Sequence, residues 1–384
     1  MNKVQKIFTE NFILLIFVLM SLKLMFAFER ISIYSDYIIY LCIILFSFFN
    51  REIFKKENAI KITKIFFGIF ILQLIGLLQV HTVYSIHNIL SSFIVYLFLI
   101  IMFNFNFKIR LNNNIFKIAY YAATFSLLIY TLNNIWLKNT IPAIFLFLTI
   151  TYIFINIKEA FKENKYIIIY FLMLLSMCLS YVHHSRTTFF ITFIILLIFI
   201  ILNKFNAYFK QDLLNKLFFC CILIIFSFVI FYINIKYSSL YDILNCYSRS
   251  IFNKNIDSGR PDLWYMSIKS LQSWQYIIGS GTGKLPEITR YVNSSFHNTY
   301  IQIFIQHGIL GLVLLIMLFR KIWMIIIKNS LNIIMYFLIS VFIAIIIYNC
   351  FETTLLQNKT LLGITQWFAL GIGYQCIRGD IKEL

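Results

Sequence analysis

The stretch "NFILLIFVLMSLKLMFAF", Asn11 to Phe28, decides the class of this protein before any site is sought. It is one apolar run with a single charge, Lys23, near its far end. A bilayer core about 30 Å thick takes roughly 20 apolar residues in a helix. The run approaches that length and lacks the small-residue cleavage site of a signal peptide, so it reads as a retained span. Lys23 reads either as a side chain snorkelling to the headgroups, the favoured use, or as a functional charge at membrane depth.

The same pattern recurs along the chain. Of 384 residues, 61% are hydrophobic and 12% charged, whereas soluble domains carry about 25% charged residues. The sequence predicts an all-α, polytopic integral membrane protein, with residues 1–384 forming a single transmembrane domain of about twelve helices. The predicted spans are 11–28, 35–50, 65–80, 88–105, 115–133, 141–157, 166–182, 187–203, 217–235, 299–319, 332–349 and 360–376.

A net charge of +18 would suggest nucleic acid in a soluble protein. Here the cations alternate between connections. One set holds Arg51, Lys55 and Lys56; Lys158, Lys162 and Lys165; Lys204 and Lys210; and Arg320, Lys321 and Lys328. The other short connections hold only Arg30, Lys138, Arg186 and Lys359. The positive-inside rule then places both termini in the cytoplasm, as an even number of spans also requires, and no nucleic-acid partner is expected. The seven cysteines lie mostly in apolar runs without metal-ligand spacing, and Cys246 and Cys350 leave a disulfide open.

Two outer connections stand apart. "YVHHSRTTFF", Tyr181 to Phe190, is a short turn with two His and an Arg. Residues 236–297 form a long loop with Pro261, Pro286, Gly259, Gly279, Gly281 and Gly283. Inside it, "DSGRPDLWYMSIKSL" reads as a helix start, capped by Asp257 or Ser258, with Pro261 in the first turn. Leu263, Met266, Ile268 and Leu271 would give this helix an apolar face on the membrane surface. "IIGSGTGK", Ile277 to Lys284, is a glycine-rich turn without the strand or following Ser/Thr of a P-loop, so nucleotide binding is not expected.

The polar residues that could carry chemistry sit at these outer edges. His297, at the mouth of the span after the long loop, reads as an interfacial anchor or as a base near neutrality. Asn298 beside it reads as a helix cap, and Gly308 and Gly311 as a face for close helix packing. Arg260 reads as a loop charge or a phosphate contact. Arg186 lies where no orientation signal asks for a cation, which favours a functional role over snorkelling. Guanidinium groups grip phosphate oxygens in bidentate fashion, so two outer arginines suggest a lipid diphosphate.

"HNTYIQIFIQHGILG" fits the pattern His-[Asn/Ser/Gln], nine residues, Gly-x-x-Gly, from His297 to Gly311. With "SGRPDLW" (Ser258–Trp264), "IIGSGTG" (Ile277–Gly283) and "HHSR" ending at Arg186, the order and spacing resemble the O-antigen ligase and polymerase superfamily. The resemblance implies glycan transfer at the periplasmic face of the bacterial inner membrane, with residues 236–297 as a large periplasmic loop that is part of the active site. The donor would be an oligosaccharide on undecaprenyl diphosphate, with no cofactor and no metal. Arg186 and Arg260 would bind the diphosphate, and His297 would orient or deprotonate the acceptor hydroxyl, with inversion at the anomeric carbon. Asn298, His184 and Trp264 complete the substrate-binding candidates; His183, Asp257 and Glu352 rank behind them.

A polymerase would pass the chain to the next lipid-linked repeat unit, with a chain-length regulator protein as a further partner. A ligase would pass it to the lipid A core. The "DSGR…W" opening and the rather short loop favour the polymerase. A transporter or flippase of lipid-linked glycans is the alternative of another class. The collection of polar residues at the outer edge favours an outward-facing enzyme over it.

Overall fold

The computed structural model describes residues 3–27, 31–80, 82–105, 107, 113–133, 140–156, 166–206, 209–252, 255–257, 259–282, 295–329, 332–356 and 359–378. Ser258, Gly283, Lys284 and Pro286, and the orientation charges Arg30, Lys138, Lys158, Lys162 and Lys165, lie outside the described residues. Fifteen α-helices and no strand occur among those described.

Among the described residues, nine α-helices precede the loop: α1 (Lys3–Met25), α2 (Ile31–Phe49), α3 (Glu57–Gln79), α4 (Val83–Asn104), α5 (Asn113–Leu132), α6 (Thr140–Ile155), α7 (Ile167–Val182), α8 (Arg186–Lys204) and α9 (Gln211–Ile233). The loop contributes α10 (Tyr241–Phe252), α11 (Arg260–Lys269) and α12 (Gln275–Ile278). Then come α13 (Thr299–Ile327), α14 (Ile333–Tyr348) and α15 (Thr360–Ile377). A helix stands at each of the twelve predicted spans. Among the described residues six, α3, α4, α5, α8, α9 and α13, are long and apolar enough to cross a membrane, and five further apolar stretches are shorter.

The bundle packs α1 against α2 and α5, α8 against α7 and α14, α15 against α4 and α6, and α13 against α3. Aromatic rings fill the seams. Phe12 and Phe46 close α1 on α2 with ring centroids 4.2 Å apart. Tyr120 and Tyr152 stack at 4.2 Å between α5 and α6. A smaller apolar cluster, with Tyr232, Leu263, Trp264, Phe296 and Ile305 among its members, ties the loop helix α11 to α9 and α13.

Several helices outrun their apolar stretch. α13 continues to Ile327 because its charges find partners. Arg320 donates to Asn215 Oδ1 at 3.0 Å, and Lys321 donates to Asn58 Oδ1 at 2.8 Å. Hydropathy stops at such charges; backbone hydrogen bonding does not.

Two sequence expectations are corrected, for Lys23 and for the helix after Asp257. Lys23 is not left to snorkel: it bonds Asp36 across α1 and α2 at 2.6 Å. The buried polar side chains Gln73, Asn88, Ser92, Gln302, Gln306 and Gln366 stand in the helix halves next to the outer connections. The helix after Asp257 starts at Arg260, with Gly259 at the N-cap position and no side-chain cap, and it buries Pro261, Leu263, Trp264 and Ser267 while Met266 stays exposed. It packs on α9 and α13 rather than lying free on the surface. Cys246 and Cys350 are free thiols, one exposed and one buried.

The glycine-rich turn and the glycines of α13 form one joint. At Gly308, φ is 63° and ψ −163°, so α13 breaks there. The break deprives carbonyls one turn earlier of their helical partners. Ser280 N–H donates to Ile305 O at 2.8 Å and Gly281 N–H to Gln306 O at 3.2 Å. The approach is so close that a Cβ on Gly308 would lie 2.2 Å from Ile277 O, and one on Gly279 would lie 2.2 Å from Gln306 O. Gly308→Ala and Gly279→Ala should each lose about 1–3 kcal/mol to backbone strain alone, plus the overlap. Gly68→Ala, which meets only the movable Leu314 side chain, should leave the melting temperature in detergent nearly unchanged while the other two lower it sharply.

Candidate active site

The site is assembled from three loops at one end of the bundle. The first element is the entry to α8. Arg186 donates through Nη1 to Ser248 Oγ at 2.7 Å and to Asn255 O at 2.8 Å. The second is the entry to α11. Arg260 donates through Nη1 to Phe351 O at 3.1 Å. A guanidinium has five N–H donors, and among the described residues Phe351 O takes one of Arg260's. The two arginines lie within electrostatic reach of each other, with Asp257 and Tyr232 as the countering neighbours of Arg186. Tyr232 O–H donates to Ile256 O at 2.9 Å and so fixes the turn that presents Arg260.

Trp264 joins that turn to His297. Its ring is fully buried, packed 5.3 Å from Tyr232 centroid to centroid. Its indole N–H donates to Phe296 O at 2.6 Å, one residue before His297. His297 itself has φ 50°, a left-handed conformation that costs energy in a residue with a Cβ. Asn298 caps α13 by accepting from Ile301 N–H at 2.9 Å, and its amide donates to Cys350 O at 2.9 Å. Thr299 N–H donates to Asn349 O at 2.9 Å. These bonds stitch the start of α13 to the turn after α14.

That turn brings Glu352 under the imidazole. His297 Nδ1 lies 3.4 Å from Glu352 Oε2, and Lys359 Nζ donates to the same oxygen at 2.6 Å. Burial alone would raise the Glu352 pKa. The His297 hydrogen bond, the Lys359 ammonium and the Arg260 guanidinium outweigh it and hold the carboxyl down to about 2. An ionised carboxylate only accepts. The proton of a neutral His297 therefore sits on Nδ1, and Nε2 keeps its lone pair. The side chain is about a third exposed, at 35%, while Glu352 beneath it is at 5%. The imidazole thus has its carboxylate partner behind it and an open front.

Arg186, Arg260 and His297 are thus brought together as a chain of neighbours: Arg186 to Arg260 by charge, Arg260 to Glu352 by charge, Glu352 to His297 by hydrogen bond. Two cavities described nearby are not lined by them. One is bounded by Thr299, Gln302, Thr353 and Thr354; the other reaches Gln73 and the buried His307. Of the proposed substrate contacts, Asn298 and Trp264 are fully buried and hold backbone. His183, its pKa lowered by burial and by His184, shares a hydrogen bond of 3.0 Å with Thr131. His184, with φ 49°, stands two residues from Arg186. Glu352 moves from the second rank to the centre. Lys359, read from sequence only as an orientation charge, is its partner. Ser248 and Tyr232 were not singled out, and nothing in their local sequence marks them.

Among the described residues no group of three or more His, Cys, Asp or Glu is placed to hold a metal ion. Residues 168–316, which run from α7 through the first half of α13, match the family model described as O-Antigen ligase. No curated protein matches the chain.

The depressed Glu352 pKa has a stability consequence with a definite sign. The contribution is full above the unfolded value near 4.5 and is lost as pH falls toward about 2. Thermal unfolding of wild type and Glu352→Gln should therefore differ most above pH 4.5 and converge below it. Trp264→Phe should cost about 1–3 kcal/mol by leaving a buried carbonyl unpaired, and restoring the indole should restore the melting temperature.

Proposed function

We propose, from the match of residues 168–316 to a family model described as O-Antigen ligase, that the chain is a member of the O-antigen ligase and polymerase superfamily and joins a lipid-linked oligosaccharide to an acceptor sugar at the outer face of the bacterial inner membrane. The donor is read as an oligosaccharide on undecaprenyl diphosphate. The observation that carries the reading is His297, backed by an ionised Glu352 and open on its other side, within the same charge cluster as two arginines.

In this reading the diphosphate binds Arg260 and Arg186. An acceptor hydroxyl lies against His297 Nε2. Its oxygen attacks the anomeric carbon from the side opposite the diphosphate, and the sugar–phosphate bond breaks with its electron pair going to the diphosphate. The hydroxyl proton passes to Nε2, and Glu352 balances the imidazolium that forms. The arginines meet the negative charge growing on the leaving group. Inversion at the anomeric carbon follows from the backside approach. The lysine-rich connections support cytoplasmic termini and a periplasmic site.

Between the two family activities we favour the polymerase, on the "DSGR…W" entry to α11 and the length of the loop. The description of the matching model favours the ligase. The lipopolysaccharide of a deletion strain separates them. Loss of the ladder with one repeat unit left on the core means polymerase. Bare core with accumulated lipid-linked polymer means ligase, and an unchanged ladder sinks both.

His297→Ala should lower transfer about 10²–10⁴-fold, the usual share of a positioned base. Arg260→Lys should also fail to restore activity, because an ammonium lacks the planar fork. Delivery of lipid-linked units to the outer leaflet should persist in both variants; its loss would favour a transporter.

A further inference from the structure

The helix α10 is built inside out for a soluble surface. It is the most strongly amphipathic of the described helices long enough to compare, yet its inward side is polar. Tyr241, Asn245 and Ser248, spaced four and three residues apart, face the protein and are half-buried. Asn245 Oδ1 accepts from Ile256 N–H at 3.0 Å, and Ser248 Oγ accepts from Arg186 at 2.7 Å. The apolar residues lie on another side. Leu240, just before the helix, and Ile243, Leu244, Tyr247 and Ile251 share one stripe at helical spacing, and all are exposed, by 36–63%. Asp242 and Arg249 fall on the flank opposite that stripe.

We propose that this stripe docks on the lipid leaflet at the His297 end of the bundle, so that α10 is an interfacial anchor for the arginine site. Three observations select lipid as the occupant. The helix follows α9, a helix long and apolar enough to cross a membrane, after one short 3-10 turn at Ile235–Tyr237. It therefore starts within a few residues of the membrane surface. The apolar side of α9 that ends there, at Ile230 and Phe231, is exposed too, and Tyr237 at the junction is 90% exposed, where aromatic anchors gather at an interface. Finally, the stripe and the charged flank stand on opposite sides of α10, as a helix lying in the headgroup boundary requires.

The consequence concerns Arg186. Ser248 on α10 and Asn255 just after it hold the Arg186 guanidinium, and Arg249 Nε donates to Asn255 Oδ1 at 2.6 Å, bracing that segment. Lipid contact on one face thus sets the donor groups on the other. The docking does not depend on the glycosyl-transfer reading; only the meaning of its effect on Arg186 does.

The test uses the full chain with Cys178, Cys220, Cys221 and Cys246 replaced, reconstituted in phosphatidylethanolamine–phosphatidylglycerol vesicles. Spin labels are placed one at a time at Ile243→Cys, Tyr247→Cys and Ile251→Cys, and at Asp242→Cys and Arg249→Cys. Docking predicts that oxygen relaxes the first three labels more than a water-soluble nickel chelate does, at a depth of about 5–10 Å, and that the order reverses for the last two. Equal nickel access at all five sites overturns the proposal. So does protection of the stripe from both reagents, which would indicate a protein partner. In a second arm, Ile243→Asp with Ile251→Asp should weaken binding of farnesyl diphosphate to the vesicle-embedded protein several-fold, and unchanged affinity refutes the coupling. If the wild-type protein binds no farnesyl diphosphate, the transfer reading falls while the depth profile still decides the docking.

Discussion

A backbone carbonyl inside an apolar bundle must find a donor, and α13 breaks this rule at Gly308 unless another segment steps in. Unpaired backbone groups away from water cost as much as a lost hydrogen bond or more. The 279–282 turn supplies the donors for Ile305 O and Gln306 O. Once it sits there, Thr282 Oγ1 donates to Gln73 O at 3.2 Å and Asn88 donates to Thr282 O at 3.1 Å, so the turn also locks α3 and α4. The same joint fixes the upper half of α13, and with it the loop that presents His297. Three motifs that look separate along the chain are one mechanical unit: the glycine turn grips the break, the Trp264 indole grips Phe296, and Asn298 grips Cys350.

The charges are arranged with equal economy. Glu352 is buried and already accepts from Lys359 and His297. Its negative charge is shared among the His297 imidazole, the Lys359 ammonium and the Arg260 guanidinium. Phe351 O orients the Arg260 guanidinium, and Ser248 Oγ and Asn255 O orient that of Arg186, with Asp257 close by. Two cations kept near each other in this way repel, and an anion entering between them gains from both.

How much of this was legible in the sequence depends on the range of the interaction. The Asn298 cap lies within three residues of its partner, and the order of motifs around Arg260 and His297 was readable as a pattern. Spans were readable because length and hydropathy are local. Glu352 could not be promoted from sequence, since it meets His297 across 55 residues. The Lys23–Asp36 pair escaped for a related reason: Lys23 looked like a lone charge in an apolar run, and its partner stands on the next helix. Burial was the least legible property. In a bilayer both faces of a helix are apolar, so periodicity does not separate lipid-facing from core-facing positions. Leu72 at 6% and Leu74 at 57% exposure are the same residue type two positions apart on α3.

That ambiguity also explains why α11 was mistaken for the surface helix. Both loop helices offer apolar residues at helical spacing, and spacing alone cannot say which stripe finds protein. The indole of Trp264 decides it for α11, because a buried N–H needs an acceptor and Phe296 O provides one inside the fold. On α10 the side chains of Asn245 and Ser248 turn toward Arg186 and the segment beyond it. Polar groups thus chose the orientation of each helix, and the apolar stripes followed: inward where an acceptor waited in the protein, outward where the acceptors lay on the opposite side.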